Sequence, residues 1–226
     1  VKSRGGSATL REGYGLTECV TACTIMPENI YKEGSVGLPF TGTSIKIVDS
    51  KTLEEKPVGT SGEICIKGPT VMLGYSNHPE ATTQALRIHQ DGAVWLHTGD
   101  LGYVDDDGFL FFVQRIKRII KSSGYTIYPS QVESVINSHP LVSECCVIGV
   151  PCPYKGQKVK AFVVLHKHAI PSAELIAEIK NYVAQRLIRW SVPAEIEFCQ
   201  HLPRTKVGKI AHTVLEMQER VSLPSP

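Results

Sequence analysis

The run Gly13-Tyr14-Gly15-Leu16-Thr17-Glu18 sets an aromatic ring between two glycines and follows it with a hydroxyl and a carboxylate. Flanking glycines let the backbone turn tightly beside a flat ligand, and the Tyr14 ring can stack on a base. Thr17 offers a hydroxyl, and Glu18 a hard oxygen ligand suited to Mg2+. In Trp95-Leu96-His97-Thr98-Gly99-Asp100 an aspartate follows directly on a glycine. A carboxylate so presented can accept two hydrogen bonds from vicinal hydroxyls, as on a ribose. Pro203-Arg204-Thr205-Lys206-Val207-Gly208-Lys209-Ile210 superficially resembles a phosphate-binding P-loop and departs from it twice. Pro203 replaces the first glycine, and Ile210 stands where a Ser or Thr would hold Mg2+. Lys209 on a glycine-containing loop can still serve as a mobile point charge for phosphate. Each segment also has an ordinary explanation. These are a strand and turn with a capping threonine, an Asx-turn before the next strand, and a solvated basic loop.

Such side chains need elements to hold them. Polar and apolar residues alternate over 43–49 and 61–68, as in half-buried strands. Residues 101–104 and 109–113 flank Asp105-Asp106-Asp107-Gly108. Asp-Gly tolerates positive φ, so this is a hairpin signal. The aspartates do not make an EF-hand loop, because Tyr103 stands where its first carboxylate belongs. Residues 37–114 therefore read as β-rich. From Arg115 the texture changes. A helix is expected to start at Pro129, with Val132, Val135 and Ile136 on one face. Buried strands follow over 142–150 and 158–165. Ser172 caps a second helix, with Glu174 in its first turn and an apolar stripe of Leu175, Ile176, Ile179, Val183 and Leu187. A short strand over 194–198 and a last helix over 211–220 complete the chain. Residues 1–6 read as a helix end leading to a strand over 9–13. The expected class is α+β, with a boundary near 114–117.

The 226 residues carry 24 Lys plus Arg against 22 Asp plus Glu, a formal net charge of +2. That balance gives no footprint for nucleic acid or an anionic membrane. No apolar run approaches the roughly 20 residues that cross a bilayer. The chain opens on Val1 with no signal-peptide pattern and no Met, which suggests a piece of a longer polypeptide. Its seven cysteines are scattered. Cys19 and Cys23 have a metal-like spacing, but no second ligand pair follows. Cys145 and Cys146 sit in the apolar run 142–150. These pairs are read as ordinary buried thiols, and the count and dispersal favour a reducing, cytoplasmic setting over a disulfide framework.

Taken together and in order, the three segments resemble the C-terminal part of the acyl-adenylate-forming superfamily. That superfamily comprises acyl-CoA synthetases, luciferases and nonribosomal-peptide adenylation domains. The likeness extends to Gly62-Glu63-Ile64 with Gly68-Pro69, and to Gly74-Tyr75-Ser76-Asn77-His78-Pro79-Glu80-Ala81-Thr82. It also takes in Arg115-Ile116-Lys117-Arg118-Ile119-Ile120-Lys121-Ser122-Ser123-Gly124-Tyr125, then Ile127, Pro129, Val132 and Glu133. The fatty acyl-CoA synthetase branch looks nearest.

The resemblance implies a domain plan. Residues 1–36 would end the adenylate-binding N-terminal domain, 37–114 would be a β-rich subdomain, and 115–226 a mobile C-terminal lid. It also implies ATP, Mg2+ and coenzyme A as reactants or cofactors, and a carboxylic acid, by this branch a fatty acid, as substrate. Lys209 then bridges substrate carboxylate and nucleotide during adenylation. Asp100 holds the ribose hydroxyls with help from Arg115, and Tyr14 with Gly15 packs on adenine. Thr17 touches the α-phosphate and Glu18 ligates Mg2+. Lys117 falls at the hinge, and Gly124 lets the pantetheine pass close to backbone. Gln114 stands where the family commonly has Gly, and Arg118 where many relatives are acidic. The Ser/Thr/Gly-rich loop that cradles pyrophosphate in this family has no counterpart in the chain, so the 226 residues are expected not to adenylate by themselves. Two alternatives share these residues: an enzyme that loads a carrier-protein thiol, and a truncated, non-enzymatic binding module.

Overall fold

Period-two alternation in the first half and 3.6-residue stripes in the second build different cores. A computed structural model describes residues 10–221. The reading of 1–6 as a helix end lies outside the described residues. Two compact units divide between Ile116 and Lys117. The class is α+β, as expected from the sequence.

The first unit opens with three two-residue strands, β1 (Gly13–Tyr14), β2 (Thr24–Ile25) and β3 (Leu38–Pro39), paired antiparallel in that order. The strand expected over 9–13 is thus shorter and later. Residues 10–12 lie outside regular structure; Gly13 and Tyr14 pair as strand, and Glu12 adds a single bond, its carbonyl accepting from Met26 N at 2.9 Å. A five-stranded antiparallel sheet follows, made of β4 (Ser44–Val48), β5 (Gly62–Lys67), β6 (Leu86–Ile88), β7 (Val94–Val104) and β8 (Leu110–Arg115). A short helix, α1 (Pro79–Ala85), precedes β6. Along one edge of β7, β6 and β8 lie end to end; β5 takes the other edge. Asp105-Asp106-Asp107-Gly108 is the hairpin between β7 and β8. Asp105 exchanges backbone bonds with Phe109 and Gly108, and Gly108 takes φ +83°. That is a type I turn closed by a left-handed glycine. Tyr14, Cys19, Cys23, Ile47, Ile64, Ile66, Leu96 and Leu110 form the buried cluster that joins both sheets.

In the second unit β9 (Ile120–Ser122) and β10 (Tyr125–Ile127) form a hairpin. After helix α2 (Pro129–Asn137) come the long antiparallel strands β11 (Val142–Cys152) and β12 (Gly156–Leu165). Helix α3 (Ala173–Ala184), strand β13 (Glu195–Phe198) and helix α4 (His212–Val221) follow, with β13 parallel to β12. Ser172 Oγ accepts from Leu175 N at 3.2 Å, the expected cap. Past Ser143 and Glu144, the run 145–150 carries no polar side chain because both its faces are covered. Cys145 and Val147 pack with Val132, Ile136 and Ile179, whereas Cys146, Ile148 and Val150 pack with Leu202 and Leu215. Adjacent Cys145 and Cys146 thus face opposite ways. Burial pushes the Cys146 thiol up to about 12, so it is an inert packing residue.

Candidate active site

Asp100 owes its presentation to a bulge. Glu63 pairs with Leu101 and Cys65 with His97, so Thr98, Gly99 and Asp100 stand opposite Ile64 alone. Gly99 absorbs the kink at φ +70°. The turn is tied by a threonine rather than by an Asx-turn. Thr98 Oγ1 donates to Ile64 O at 2.8 Å and accepts from Asp100 N at 3.1 Å. Bulges of this kind re-aim a side chain.

The re-aimed carboxylate is 4% exposed. Tyr14 Oη donates to Asp100 Oδ2 at 2.7 Å. Arg115, the cross-strand partner of Asp100, brings Nε within 3.5 Å of Oδ1. No hydrogen bond reaches Oδ1 among the described residues, although the atom is buried. Such an orphaned acceptor is costly unless a ligand donates to it. It is the feature a ribose diol would satisfy, so these residues fit a nucleotide. Burial raises the Asp100 carboxyl above its usual range, against the pull of the Tyr14 hydroxyl and Arg115, with Glu63 and Glu18 adding repulsion.

The Tyr14 hydroxyl favours the charged form of Asp100, so Tyr14→Phe should raise the carboxyl further. AMP binding, which needs the carboxylate as acceptor, should then fade at a higher pH in the variant than in the parent. Titration calorimetry of AMP from acid to neutral pH checks this. An unmoved or downward-shifted acid limb would contradict it.

Gly15 has no substitute. A Cβ there would stand 1.6 Å from Thr21 O. The chain doubles back through a 3-10 turn, Thr17–Cys19, and then Val20 at φ +65° and Thr21 at φ +125°. Positive φ at β-branched residues is strained and clusters at functional sites. Cys23 N donates to Tyr14 O at 2.8 Å, which holds the loop shut. Thr17 is exposed on this turn. Tyr75 Oη donates to Glu18 Oε1 at 2.7 Å, and Met72 N donates to the Glu18 carbonyl at 2.8 Å. A carboxylate oriented by one hydroxyl is a fitting donor for Mg2+, which takes one or two protein carboxylates alongside phosphates. Tyr75 was visible only as part of a motif. Its contact with Glu18 spans 57 residues and has no local signal.

The first unit therefore joins Tyr14, Asp100 and Arg115 by direct contacts. The second carries Lys117, Gly124 and Lys209, each on a separate feature. Lys117 lies exposed in a single 3-10 turn, Ile116–Arg118, at the unit boundary. Beside it, Arg118 Nη2 reaches Glu133 Oε1 at 2.5 Å, which explains a cation at this position. Ser123 at φ +50° and Gly124 at φ +82° are the two residues between the paired Ser122 and Tyr125. This is a type I′ hairpin turn. A Cβ on Gly124 would meet nothing within 4 Å, so the turn tip is open to a ligand. Lys209 is exposed on a loop closed by Thr205 N to Lys209 O (2.8 Å) and Gly208 N to Thr205 O (2.9 Å). This is a hairpin rather than a P-loop.

Two family descriptions match the chain: AMP-binding enzyme over residues 1–76, and AMP-binding enzyme C-terminal domain over residues 131–209. A long-chain-fatty-acid–CoA ligase of Salmonella typhimurium is 42% identical over 212 residues, 93% of this chain and 36% of that protein. ATP-bound MatB from Rhodopseudomonas palustris superposes with a TM-score of 0.84 at 34% identity, over 92% of this chain and 40% of that one. The o-succinylbenzoate CoA synthetase MenE of Bacillus subtilis, in complex with its acyl-adenylate intermediate, gives 0.80 at 34%, over 95% and 42%. The chain thus spans little more than a third of the length of the curated relatives it matches. With the AMP-binding enzyme description at one end, its C-terminal-domain counterpart at the other and an adenylate-forming fold throughout, the chain belongs to the AMP-binding, acyl-adenylate-forming enzymes.

Proposed function

We propose that the protein is an AMP-forming acid–thiol ligase that activates a fatty acid with ATP and passes the acyl group to coenzyme A. The observation that carries this reading is the buried, unsatisfied Oδ1 of Asp100, flanked by Tyr14 and Arg115. The fatty acid and coenzyme A come from the ligase relatives.

In the first half-reaction the carboxylate attacks the α-phosphate of ATP and pyrophosphate leaves. An anion meets an anion, so the main requirement is positive charge near that phosphate. Asp100 accepts the ribose hydroxyls and Tyr14 flanks adenine while steering the carboxylate. Thr17 touches the α-phosphate, and Lys209 bridges it to the acid. Bound at Glu18, Mg2+ would offset phosphate charge. In the second half-reaction the thiol attacks the acyl carbonyl and AMP leaves, with the open tip at Gly124 giving passage to the pantetheine. The 226 residues alone are inferred not to adenylate, since they hold no Ser/Thr/Gly-rich pyrophosphate loop.

ATP–pyrophosphate exchange by the whole protein across a panel of carboxylic acids tests the reading, with coenzyme A added afterwards. Exchange that peaks on fatty acids, followed by thioester formation, supports it. Transfer only to a carrier-protein thiol would favour the carrier-loading alternative, and no exchange with any acid would overturn it. Lys117 is assigned to the hinge, where one or two residues absorb the φ/ψ change. Lys117→Pro fixes φ and should preserve exchange while abolishing thioester synthesis. Normal overall turnover would remove that assignment.

A further inference from the structure

One face of the first unit's larger sheet buries Ile47, Ile64, Ile66 and Leu96. The opposite face gathers a different set. Cys65 and His97 are cross-strand partners on β5 and β7. His89 enters from the turn between β6 and β7, where its N donates to Ala93 O at 3.1 Å and its carbonyl accepts from Gly92 N at 2.9 Å. All three are buried, at 0%, 7% and 5% exposure in that order. The two histidine Nε2 atoms are 2.9 Å apart. One donor atom from each of the three side chains falls within 4.8 Å of the others.

A further contact points to a cation. Glu63 Oε2 holds His97 Nδ1 at 2.9 Å and so turns its Nε2 towards His89. Carboxylate–histidine pairs of this kind fix the ring and raise its basicity in metal sites. Lys46, the cross-strand neighbour of Cys65, sends its ammonium to Asp91 at 3.8 Å and over the Trp95 ring at 4.0 Å. A surface cavity of about 380 Å³, which His89 helps to line, offers an entry path.

We propose that Cys65, His89 and His97 form a Zn2+ site with Glu63 as the orienting carboxylate. One thiolate and two imidazoles suit a borderline divalent ion, and three protein ligands leave a fourth position for water. Zinc–nitrogen and zinc–sulfur bonds of about 2.0–2.3 Å put ligand atoms about 3.3–3.6 Å apart in a tetrahedron, so the histidine pair must open by a few tenths of an ångström and the thiol, which lies within 4.8 Å of the imidazoles, must close by up to about 1.3 Å. Glu63 Oε1 also accepts from Gly99 N at 3.1 Å, which ties the site to the bulge that presents Asp100. The ion would staple β5 and β7 behind that aspartate. The site is independent of the ligase reading and of the Cys19/Cys23 spacing.

The test is Co2+ titration of chelator-stripped protein, followed by Zn2+ competition and elemental analysis. One Co2+ should bind per chain at this site, with tetrahedral d–d bands and a thiolate-to-cobalt charge-transfer band, and one equivalent of Zn2+ should displace it. Cys65→Ser should remove the charge-transfer band. His89→Gln, in a surface turn, should weaken binding by at least the roughly 10- to 100-fold that Glu63→Gln costs through the orienting shell. If Cys65→Ser fails to fold, the His89→Gln titration decides. A folded parent that binds no Co2+ or Zn2+ overturns the proposal. So does a band that survives both Cys65→Ser and His89→Gln and disappears in Cys19→Ser or Cys23→Ser.

Discussion

Lys209→Ala should lose adenylation by about a hundred- to thousandfold, or about 3–4 kcal/mol of transition-state stabilisation. Thioester formation from supplied acyl-AMP should be largely spared. The asymmetry follows from the chemistry. Only the first half-reaction drives a carboxylate onto a phosphate, and only there is a cation between the two required. The local structure makes the test clean. Lys209 is fastened through its backbone, with its carbonyl accepting from Thr205 N and its N donating to Thr205 Oγ1 at 3.2 Å. Arg204 Nη1 donates to Gly208 O at 2.9 Å in the same turn. None of these bonds uses the lysine side chain, so alanine leaves the loop intact and removes the charge. ATP–pyrophosphate exchange and single-turnover thioesterification, measured on one preparation, separate the steps. Equal loss in both would withdraw the adenylation role.

Asp100→Ala should weaken AMP and ATP by about 150- to 20,000-fold, since two hydrogen bonds to a charged acceptor contribute about 1.5–3 kcal/mol each. Folding should survive. The substitution strands the Tyr14 hydroxyl, but it also removes a carboxylate whose ionisation burial opposes. Asp100→Asn keeps an acceptor for Tyr14 and should fall between the two. Calorimetry of AMP binding, paired with thermal melts, distinguishes a lost ligand contact from a lost fold. Affinity within threefold of the parent in a folded Asp100→Ala protein would remove Asp100 from the nucleotide site.

What the sequence revealed and what it hid follow from the range of the forces involved. The strands of 44–48 and 62–67, the Ser172 cap and the Asp-Gly hairpin depend on neighbours a few residues away, and periodicity and turn chemistry made them legible. Strand β7 was not legible as one element, because Gly99 at positive φ reads locally as a turn while the ladder continues through the bulge. Helix α1 lay unread inside a quoted motif; its seven residues bury none of their side chains, so no apolar stripe marks it. Asp100 was singled out by its motif, but its partner Tyr14 lies 86 residues away in sequence. Nothing in the sequence groups Cys65, His89 and His97, although His97 stands in the Asp100 motif and Cys65 in the strand over 61–68. Their meeting depends on the antiparallel register of β5 against β7, and a slip of one residue would put Cys65 and His97 on opposite faces.

The most direct measurement of the central claim is the fate of ATP. Whole protein is incubated with labelled ATP, Mg2+ and a long-chain fatty acid before any coenzyme A is added. The account predicts pyrophosphate together with an enzyme-held AMP ester of the acid, and free AMP once coenzyme A is supplied. ADP with inorganic phosphate, or an acyl-phosphate in place of the AMP ester, would contradict it.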